Sequence, residues 1–246
     1  MRAEPLATYL ELGGAWPEHP KAFQDMISAC WRGYEGTWKV INSRLYLVKL
    51  DELSGLDLQA FFPGYPDRVF AHWCTGTASF SAGKLLKYGE YESVYERDIF
   101  IHFVRGVAVE TTVRVNGEAD ERAPGGYRLN TDANLTDPRR KAAELEADDA
   151  KPFVLISRRD LEEVEIEETV YDPLGAAPEA PFGHLNAVWR RFKAELPARS
   201  ELWSYSASWE GRKYGWGSEM RREGYVAVED GRLGPFFGSV KRIENR

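Results

Sequence analysis

Two short runs of β-branched and aromatic residues on either side of a two-residue break constrain the fold of this chain more than any other feature. The runs cover residues 37–41 and 44–50, and the break between them is Asn42-Ser43. This pattern predicts a tight β-hairpin. Few polar positions remain for a solvent-facing side, so we expect both faces of the hairpin to be buried. Such a strand pair has to lie inside a larger structure, and we predict that it forms the nucleus of a sheet.

A second pair of strands is predicted around the dipeptide Arg105-Gly106. Residues 98–104 precede it, and a Val or Thr occupies every second position of residues 107–115. This period of two predicts a strand that is exposed on one face. Shorter apolar segments predict further strands at residues 69–74, 77–80, 153–156, 201–206, 225–228 and 236–240. The chain is therefore predicted to have a β-rich α+β fold, built mainly on antiparallel sheet.

Composition and helix signals divide the chain into three parts. Large apolar residues become few after residue 116, and Asp137-Pro138 predicts the start of a short helix there. A linker is predicted at residues 172–181, and the apolar positions of the helix that follows lie on one face: Leu185, Val188, Trp189, Phe192 and Leu196. We predict a β-rich domain at residues 1–125, an acidic connecting segment with a short helix and strands at 126–180, and a small α+β domain with one helix and three strands at 181–246.

Charge and hydropathy exclude several classes of partner. Lys and Arg number 32 against 39 Asp and Glu, which gives a net charge of −7. General binding of nucleic acid or of anionic membranes requires a surplus of cations, so neither is expected. The start of the chain lacks an apolar core of signal-peptide length, and no apolar run is long enough to span a bilayer. We therefore expect a cytoplasmic protein.

The two cysteines, Cys30 and Cys74, have no spacing that indicates a zinc site or a redox motif. Each is adjacent to a tryptophan, Trp31 or Trp73, which predicts buried thiols. A cytosolic setting disfavours a disulfide between them, although their spacing alone permits one. Neither a metal site nor a cofactor is predicted.

Two sets of residues resemble bacterial protein groups. The first is Trp31-Arg32-Gly33-Tyr34, Gly36-Thr37-Trp38 and Leu45-Tyr46-Leu47, continued by Trp73, Gly76-Thr77, Gly83, Leu86, Tyr88, Tyr95-Glu96, Asp98 and Gly106. It is similar to a widespread group of uncharacterised bacterial proteins over residues 5–115. The second is Phe192, Glu201-Leu202-Trp203, Gly224-Tyr225 and Asp230-Gly231, which resembles a small bacterial module with a shorter tract in place of residues 209–222. The resemblance implies a bacterial origin and a two-part architecture, and it implies no activity.

Sequence signals for catalysis are confined to one segment. The chain has no His-Glu-x-x-His, Gly-x-Ser-x-Gly or P-loop motif. Residues 88–98 place several carboxylates among tyrosines, and carboxylates in differing environments can act as acid and base. If the protein is an enzyme, the candidates are Glu92, Glu96, Asp98 and His102. The alternatives are a solvated hairpin rim for the carboxylates and a core position for the histidine.

The alternation of Glu and apolar residues from 162 to 168 suggests a binding face. A strand predicted at residues 161–171 places Glu163, Glu165 and Glu167 on one side, with neighbouring carboxylates roughly 7 Å apart. Carboxylates this close repel one another. They either pair with cations of the same chain, such as Arg158 or Arg159, or form a docking face for a basic protein.

A basic and aromatic loop at residues 209–222 is the second candidate surface. Its members Trp209, Arg212, Tyr214 and Trp216 are of the types that dominate protein hot spots and base-stacking sites. The alternative is a structural loop that folds back through cation–π contacts.

The favoured hypothesis is a cytoplasmic bacterial protein-interaction module, with an immunity or antitoxin protein that neutralises or regulates a partner as its most concrete form. Its acidity, its lack of catalytic motifs and the two candidate surfaces favour this class, and the acidity suggests a basic protein partner. The alternative is an enzyme or small-ligand binder that uses the tyrosine and carboxylate cluster at residues 90–98.

Overall fold

The computed structural model of the protein describes residues 5–14, 35–51, 57–88, 93–116, 153–210 and 219–242. The helices are α1 (Pro5–Glu11), α2 (Leu58–Phe61), α3 (Leu161–Glu167) and α4 (Asn186–Ala194), and a 3-10 turn covers Gly183–Leu185. The strands are β1 (Glu35–Ile41), β2 (Arg44–Asp51), β3 (Val69–Phe70), β4 (Gly76–Lys87), β5 (Val94–Val104), β6 (Val107–Val115), β7 (Phe153–Arg159), β8 (Glu201–Glu210), β9 (Glu219–Glu229) and β10 (Arg232–Arg242).

The strands form two antiparallel sheets, which confirms the predicted β-rich α+β fold. A six-stranded sheet has the order β1-β2-β6-β5-β4, with β3 paired to β2, and a four-stranded sheet has the order β10-β9-β8-β7. The second sheet contains the three strands predicted for residues 181–246 and a fourth strand, β7, which comes before these residues in the chain. The predicted domain boundaries at residues 125 and 180 stay a prediction. No helix of the described residues is long and apolar enough to cross a bilayer.

The hairpin around Asn42-Ser43 forms as predicted. Both turn residues have positive φ angles, 49° and 60°, which the favoured two-residue hairpin turns require. Residues 45–47 of β2 are fully buried because this strand lies between β1 and the strands β3 and β6. The expected burial of both faces is wrong for β1, where Thr37 and Lys39 are exposed. The reason is position, because β1 lies at the edge of its sheet.

The strand predicted at residues 161–171 is wrong, since residues 161–167 form the helix α3. The Asp160 side chain accepts hydrogen bonds from the backbone N–H groups of Glu162 and Glu163, at 2.8 and 3.1 Å. This N-cap satisfies two donors that a helix start leaves open, and the two carboxylates in the first turn suit the helix dipole. Glutamates two residues apart therefore point in different directions, and no ladder of three exists.

A main hydrophobic cluster joins the two sheets. It contains Leu45 of β2, Phe103 of β5 and Trp189 of α4, each of which is completely buried. Trp189 also packs against Phe237 of β10, with ring centroids 5.3 Å apart. The apolar face predicted for the C-terminal helix is thus the face that covers the second sheet and meets the first.

The segment predicted to be a linker, residues 172–181, packs against the first sheet. The buried Asp172 carboxylate accepts hydrogen bonds from the Tyr46 hydroxyl at 2.6 Å and from the Ala176 backbone N–H at 2.9 Å. The backbone N–H of Phe70 donates to the Ala176 carbonyl oxygen at 2.7 Å. Ala176 is itself buried. These bonds make the segment part of the interface between the two sheets.

We predict that Tyr46→Phe lowers the free energy of unfolding by about 1–3 kcal/mol, because it leaves a buried carboxylate short of one donor. The measurement is urea denaturation followed by far-UV circular dichroism. Tyr88→Phe is the matched control, since the Tyr88 side chain is 80% exposed. Equal stability of the two variants would show that the bond to Asp172 contributes nothing measurable.

Candidate functional site

A cleft of about 490 Å³ lies between the two sheets. Arg44, Phe70 and Arg105 line it from the first sheet, and Ile156 and Tyr225 line it from the second. Small-molecule sites are concave, mostly apolar and roughly 300–1,000 Å³ in size, with a few polar groups that converge on the ligand. The cleft has this size and this mixture of aromatic, aliphatic and charged walls.

An ion pair and a tyrosine connect the two sheets at this cleft. The Arg105 guanidinium pairs with Oε2 of Glu168, and the Tyr225 hydroxyl donates to Oε1 of the same carboxylate at 2.9 Å. Arg105 lies in the β5–β6 turn, where its backbone N–H donates to Thr75 Oγ1 at 3.1 Å. Burial, together with the adjacent Glu168 carboxylate, raises the pKa of Tyr225, so this hydroxyl stays a donor.

Arg44 is the second guanidinium of the cleft, and it lies at the start of β2. Its Nε is 3.8 Å from Oδ1 of Asp172, and its Cζ is 5.7 Å from the centroid of the Phe70 ring. Among the described residues, the buried Nε has no hydrogen-bond partner. The side chain is 26% exposed, so part of the guanidinium reaches solvent.

Two stacked histidines lie beside the cleft, with ring centroids 5.7 Å apart and an interplanar angle of 15°. His72 Nε2 accepts a hydrogen bond from the His184 backbone N–H at 3.0 Å, so a neutral His72 carries its proton on Nδ1. His184 Nε2 lies 3.1 Å from the Ala176 carbonyl oxygen, which can only accept, so this nitrogen is protonated. Gly183 permits the approach, because a Cβ there would lie 2.6 Å from His72 Nε2 and its φ is +48°.

Burial sets the protonation state of this pair. It lowers the pKa of His184 to about 4. Burial also lowers the pKa of His72 well below its usual range, and the nearby His184 and Arg105 act in the same direction. Both rings are therefore neutral at pH 7. The Cys74 thiol is inert for a similar reason, since burial raises its pKa to about 12.

Three of the predicted catalytic candidates, Glu96, Asp98 and His102, do not line the cleft. Asp98 is buried and accepts hydrogen bonds from Arg114 Nη2 at 2.6 Å, Asn116 Nδ2 at 2.9 Å and Ser81 Oγ at 3.4 Å. Burial alone would raise the pKa of Asp98, but the hydrogen bonds from Asn116 and Arg114 outweigh it and lower the pKa. This arrangement favours a structural role for the carboxylate.

Within the part of the chain that the structure describes, no hydrogen bond joins the remaining candidates of that cluster to Asp98. His102 Nδ1 lies 3.1 Å from Thr77 Oγ1, Glu96 lies on β5, and Glu92 is outside the described residues. Catalysis at these positions stays a prediction.

Cations of the same chain bind two of the three glutamates predicted to contact a partner. Glu165 accepts a hydrogen bond from Trp189 Nε1 at 2.8 Å and pairs with Lys193, which lowers its pKa. Glu167 pairs with Arg159 at 2.6 Å, as the intramolecular alternative predicted. Glu163 is exposed. Trp209 lies on β8, and Arg212, Tyr214 and Trp216 are outside the described residues.

The group that joins the two walls of the cleft has no signal in the sequence. Glu168 is 63 residues from Arg105 and 57 from Tyr225 along the chain, and no local pattern links them. In the sequence, Glu168 is only the last glutamate of the segment 162–168, and nothing there links it to Arg105 or Tyr225. Within the described ranges, no three His, Cys, Asp or Glu side chains converge as metal ligands would.

Comparison with protein-family models, with curated proteins and with solved structures returns no match to this chain. The resemblance to bacterial protein groups stays a prediction, and any function proposed for the chain has to rest on its geometry.

We predict that the free energy of unfolding falls as the pH drops from about 6.5 to 4. Both histidines have a lower pKa in the folded chain than in the unfolded one, so the unfolded chain binds more protons in this range. Each histidine contributes a slope of about 1.4 kcal/mol per pH unit. Asp98 and Glu165 have pKa values below the ordinary 3.8 and 4.5, so their stabilisation is lost only as the pH falls through these values and below, at the acid end of the range.

The measurement is urea denaturation of the wild type and of His184→Gln between about pH 7.5 and 4.5. The variant should show a clearly smaller slope below about pH 6.5, since it lacks one of the two groups. Identical slopes in the two proteins would contradict the assignment of His184 as a buried neutral ring.

Proposed function

We propose that the protein binds a small molecule in the cleft between its two sheets. The observation that carries the proposal is the cleft itself, a cavity of about 490 Å³ in which Arg105, Glu168 and Tyr225 bridge the two walls. Small ligands usually bind in concave sites whose walls are mostly apolar and carry a few convergent polar groups. The ligand-binding alternative of the sequence analysis is thereby retained, with the site moved from residues 90–98 to the cleft.

The parts of the cleft suit different parts of a ligand. Phe70 and Ile156 offer apolar surface, whose burial by a ligand is favourable at about 25 cal/mol per Å². Arg44 and Arg105 offer charged donors that can orient a polar group. No step of chemical catalysis follows from this arrangement, and the proposal is one of binding.

We predict that Ile156→Trp blocks ligand binding, because Ile156 lines the cleft and a larger side chain there narrows it. The side chain is 59% exposed, so the substitution leaves the core intact. Val154→Trp is the matched control, since Val154 lies two residues earlier on β7, is 51% exposed and does not line the cleft.

The measurement is a thermal-shift screen of a fragment library, with dissociation constants of the hits determined by ligand-observed NMR. Hits should bind the wild type and Val154→Trp equally and should lose at least about tenfold in affinity to Ile156→Trp. Hits that bind all three proteins alike would place the site elsewhere. A screen without hits would count against ligand binding.

A second candidate function is supported by the outer face of α3. Ile166 is 71% exposed, and the exposed Glu162 and Glu163 precede it by one helical turn on the same face. An apolar side chain beside negative charge suits a basic protein surface, because charge complementarity speeds association and excludes acidic partners. This is the interaction module of the sequence analysis, an immunity or antitoxin-type protein of the bacterial cytoplasm, with its docking face reduced to one side of a helix.

We predict that Glu162→Lys with Glu163→Lys abolishes capture of a basic partner from native bacterial lysate. Glu165 and Glu167 are left unchanged because they pair with Lys193 and Arg159 of the same chain. Asp67→Lys with Glu110→Lys is the control, since both side chains are exposed, one in the loop before β3 and one on β6, and the change in net charge is the same. Mass spectrometry of pull-downs at low and moderate salt is the measurement. A stoichiometric partner that survives the α3 reversal at low salt would contradict the docking face.

A further inference from the structure

We infer that the ligand of the cleft is a small organic acid, whose carboxylate binds at Arg44 and Arg105 and whose aromatic or branched aliphatic body lies on the apolar wall. This inference rests on the proposed ligand-binding function and adds the chemical class of the ligand. It follows from a difference between the donors and the acceptors that line the cleft.

Each carboxylate at or next to the cleft already has a partner in the protein. Both carboxylate oxygens of Glu168 are bonded, one to Arg105 and the other to the Tyr225 hydroxyl. Glu223, the second carboxylate on the lining, also has a partner. Asp172, next to Arg44, accepts from the Tyr46 hydroxyl and from the Ala176 backbone. An ammonium group entering the cleft would have to compete for oxygens that protein donors already occupy.

The donors are not used to the same extent. The buried Nε of Arg44 lacks a hydrogen-bond partner among the described residues, and the Asp172 oxygen at 3.8 Å is too distant to accept from it. This Nε is closed to solvent, so a ligand carboxylate would accept from the outer N–H groups of the guanidinium, whose side chain is 26% exposed. Arg105 is 58% exposed and uses Nη2 for Glu168, so other N–H groups of its guanidinium remain available.

The fold brings these two arginines to one corner of the cleft. Arg44 pairs with Val107 across the β2–β6 ladder, and the Leu45 backbone N–H donates to the Gly106 carbonyl oxygen at 2.9 Å. Arg105 lies in the β5–β6 turn and directly precedes Gly106 and Val107 in the chain. Both side chains line the cleft, and a guanidinium group is the side chain best suited to bind a carboxylate through two hydrogen bonds.

The apolar wall beside this corner fits the body of such an acid. Phe70, Val107 and Ile156 line the same cleft as the arginines, and Phe70 already packs against the Arg44 guanidinium. An aromatic or branched aliphatic group would be buried here, while a sugar or a polyamine would leave its polar atoms without partners.

The test uses matched acids and amides with identical bodies on the full chain: benzoate and benzamide, 3-phenylpropionate and 3-phenylpropanamide, and indole-3-acetate and indole-3-acetamide. Dissociation constants are measured by ligand-observed NMR at one salt concentration. In at least one pair the acid should bind at least about tenfold more tightly than its amide, because only the acid forms charge-assisted hydrogen bonds.

The arginine variants locate the carboxylate. Arg44→Gln and Arg105→Gln should each remove most of the preference for the acid, whereas Arg232→Gln at the exposed start of β10 should keep it. Arg44→Lys and Arg105→Lys keep the charge and serve where a Gln variant unfolds. The ratio of acid to amide affinity is the readout, since a general loss of stability lowers both affinities together.

The outcomes test the chemical class of the ligand separately from ligand binding in the cleft. Amides that bind as well as acids would overturn the organic-acid class while binding in the cleft stands. That class is also overturned if both arginine variants keep the preference for the acid over the amide. It is overturned as well if none of the acid and amide pairs binds although the fragment screen yields hits sensitive to Ile156→Trp. Absence of any such hit would overturn the proposed function as well.

Discussion

Burial of the Asp172 carboxylate between the two sheets is the constraint on which the rest of the arrangement depends. A carboxylate removed from water has to be matched by donors, and here they come from a tyrosine on β2 and from the backbone of its own loop. Meeting that requirement fixes residues 172–176 against the first sheet. The same loop then presents the Ala176 carbonyl oxygen to Phe70 and to His184, so one buried charge orders a longer stretch of chain.

The cleft exists because these polar contacts hold the sheets at two places and apolar packing holds them at a third. The Asp172 loop and the stacked His72 and His184 lie on one side, and the group formed by Arg105, Glu168 and Tyr225 lies on another. Trp189 and its neighbours fill the core behind them. The space left between these contacts cannot collapse without breaking one of them. A cavity maintained in this way is preorganised, which reduces the entropy that a ligand would lose on binding.

Local signals predict the elements, and non-local pairing decides the site. The turns at Asn42-Ser43, Arg105-Gly106 and Asp230-Gly231 all have positive φ angles, and each joins the strands that the sequence predicts. The prediction fails at α3 because the alternation of residues 162–168 favours a strand, whereas the cap at Asp160 and the helix it starts prevail in the fold. At residues 172–181 the turn-forming Pro and Gly residues predict a linker, and the sequence carries no signal that Asp172 bonds to Tyr46, 126 residues away. The cleft depends on pairs separated by 57 to 126 residues, and a single sequence carries no local signal for such pairs.

The six-stranded sheet is joined through a single residue pair between β2 and β6, Arg44 with Val107. The ribbon formed by β4, β5 and β6 is otherwise held together by its own long ladders. Arg105-Gly106 therefore lies where this ribbon meets the central hairpin, and Phe103 anchors the same ribbon in the shared core. The strands β5 and β6 are eleven and nine residues long, so the ends that face away from this turn lie far from the cleft.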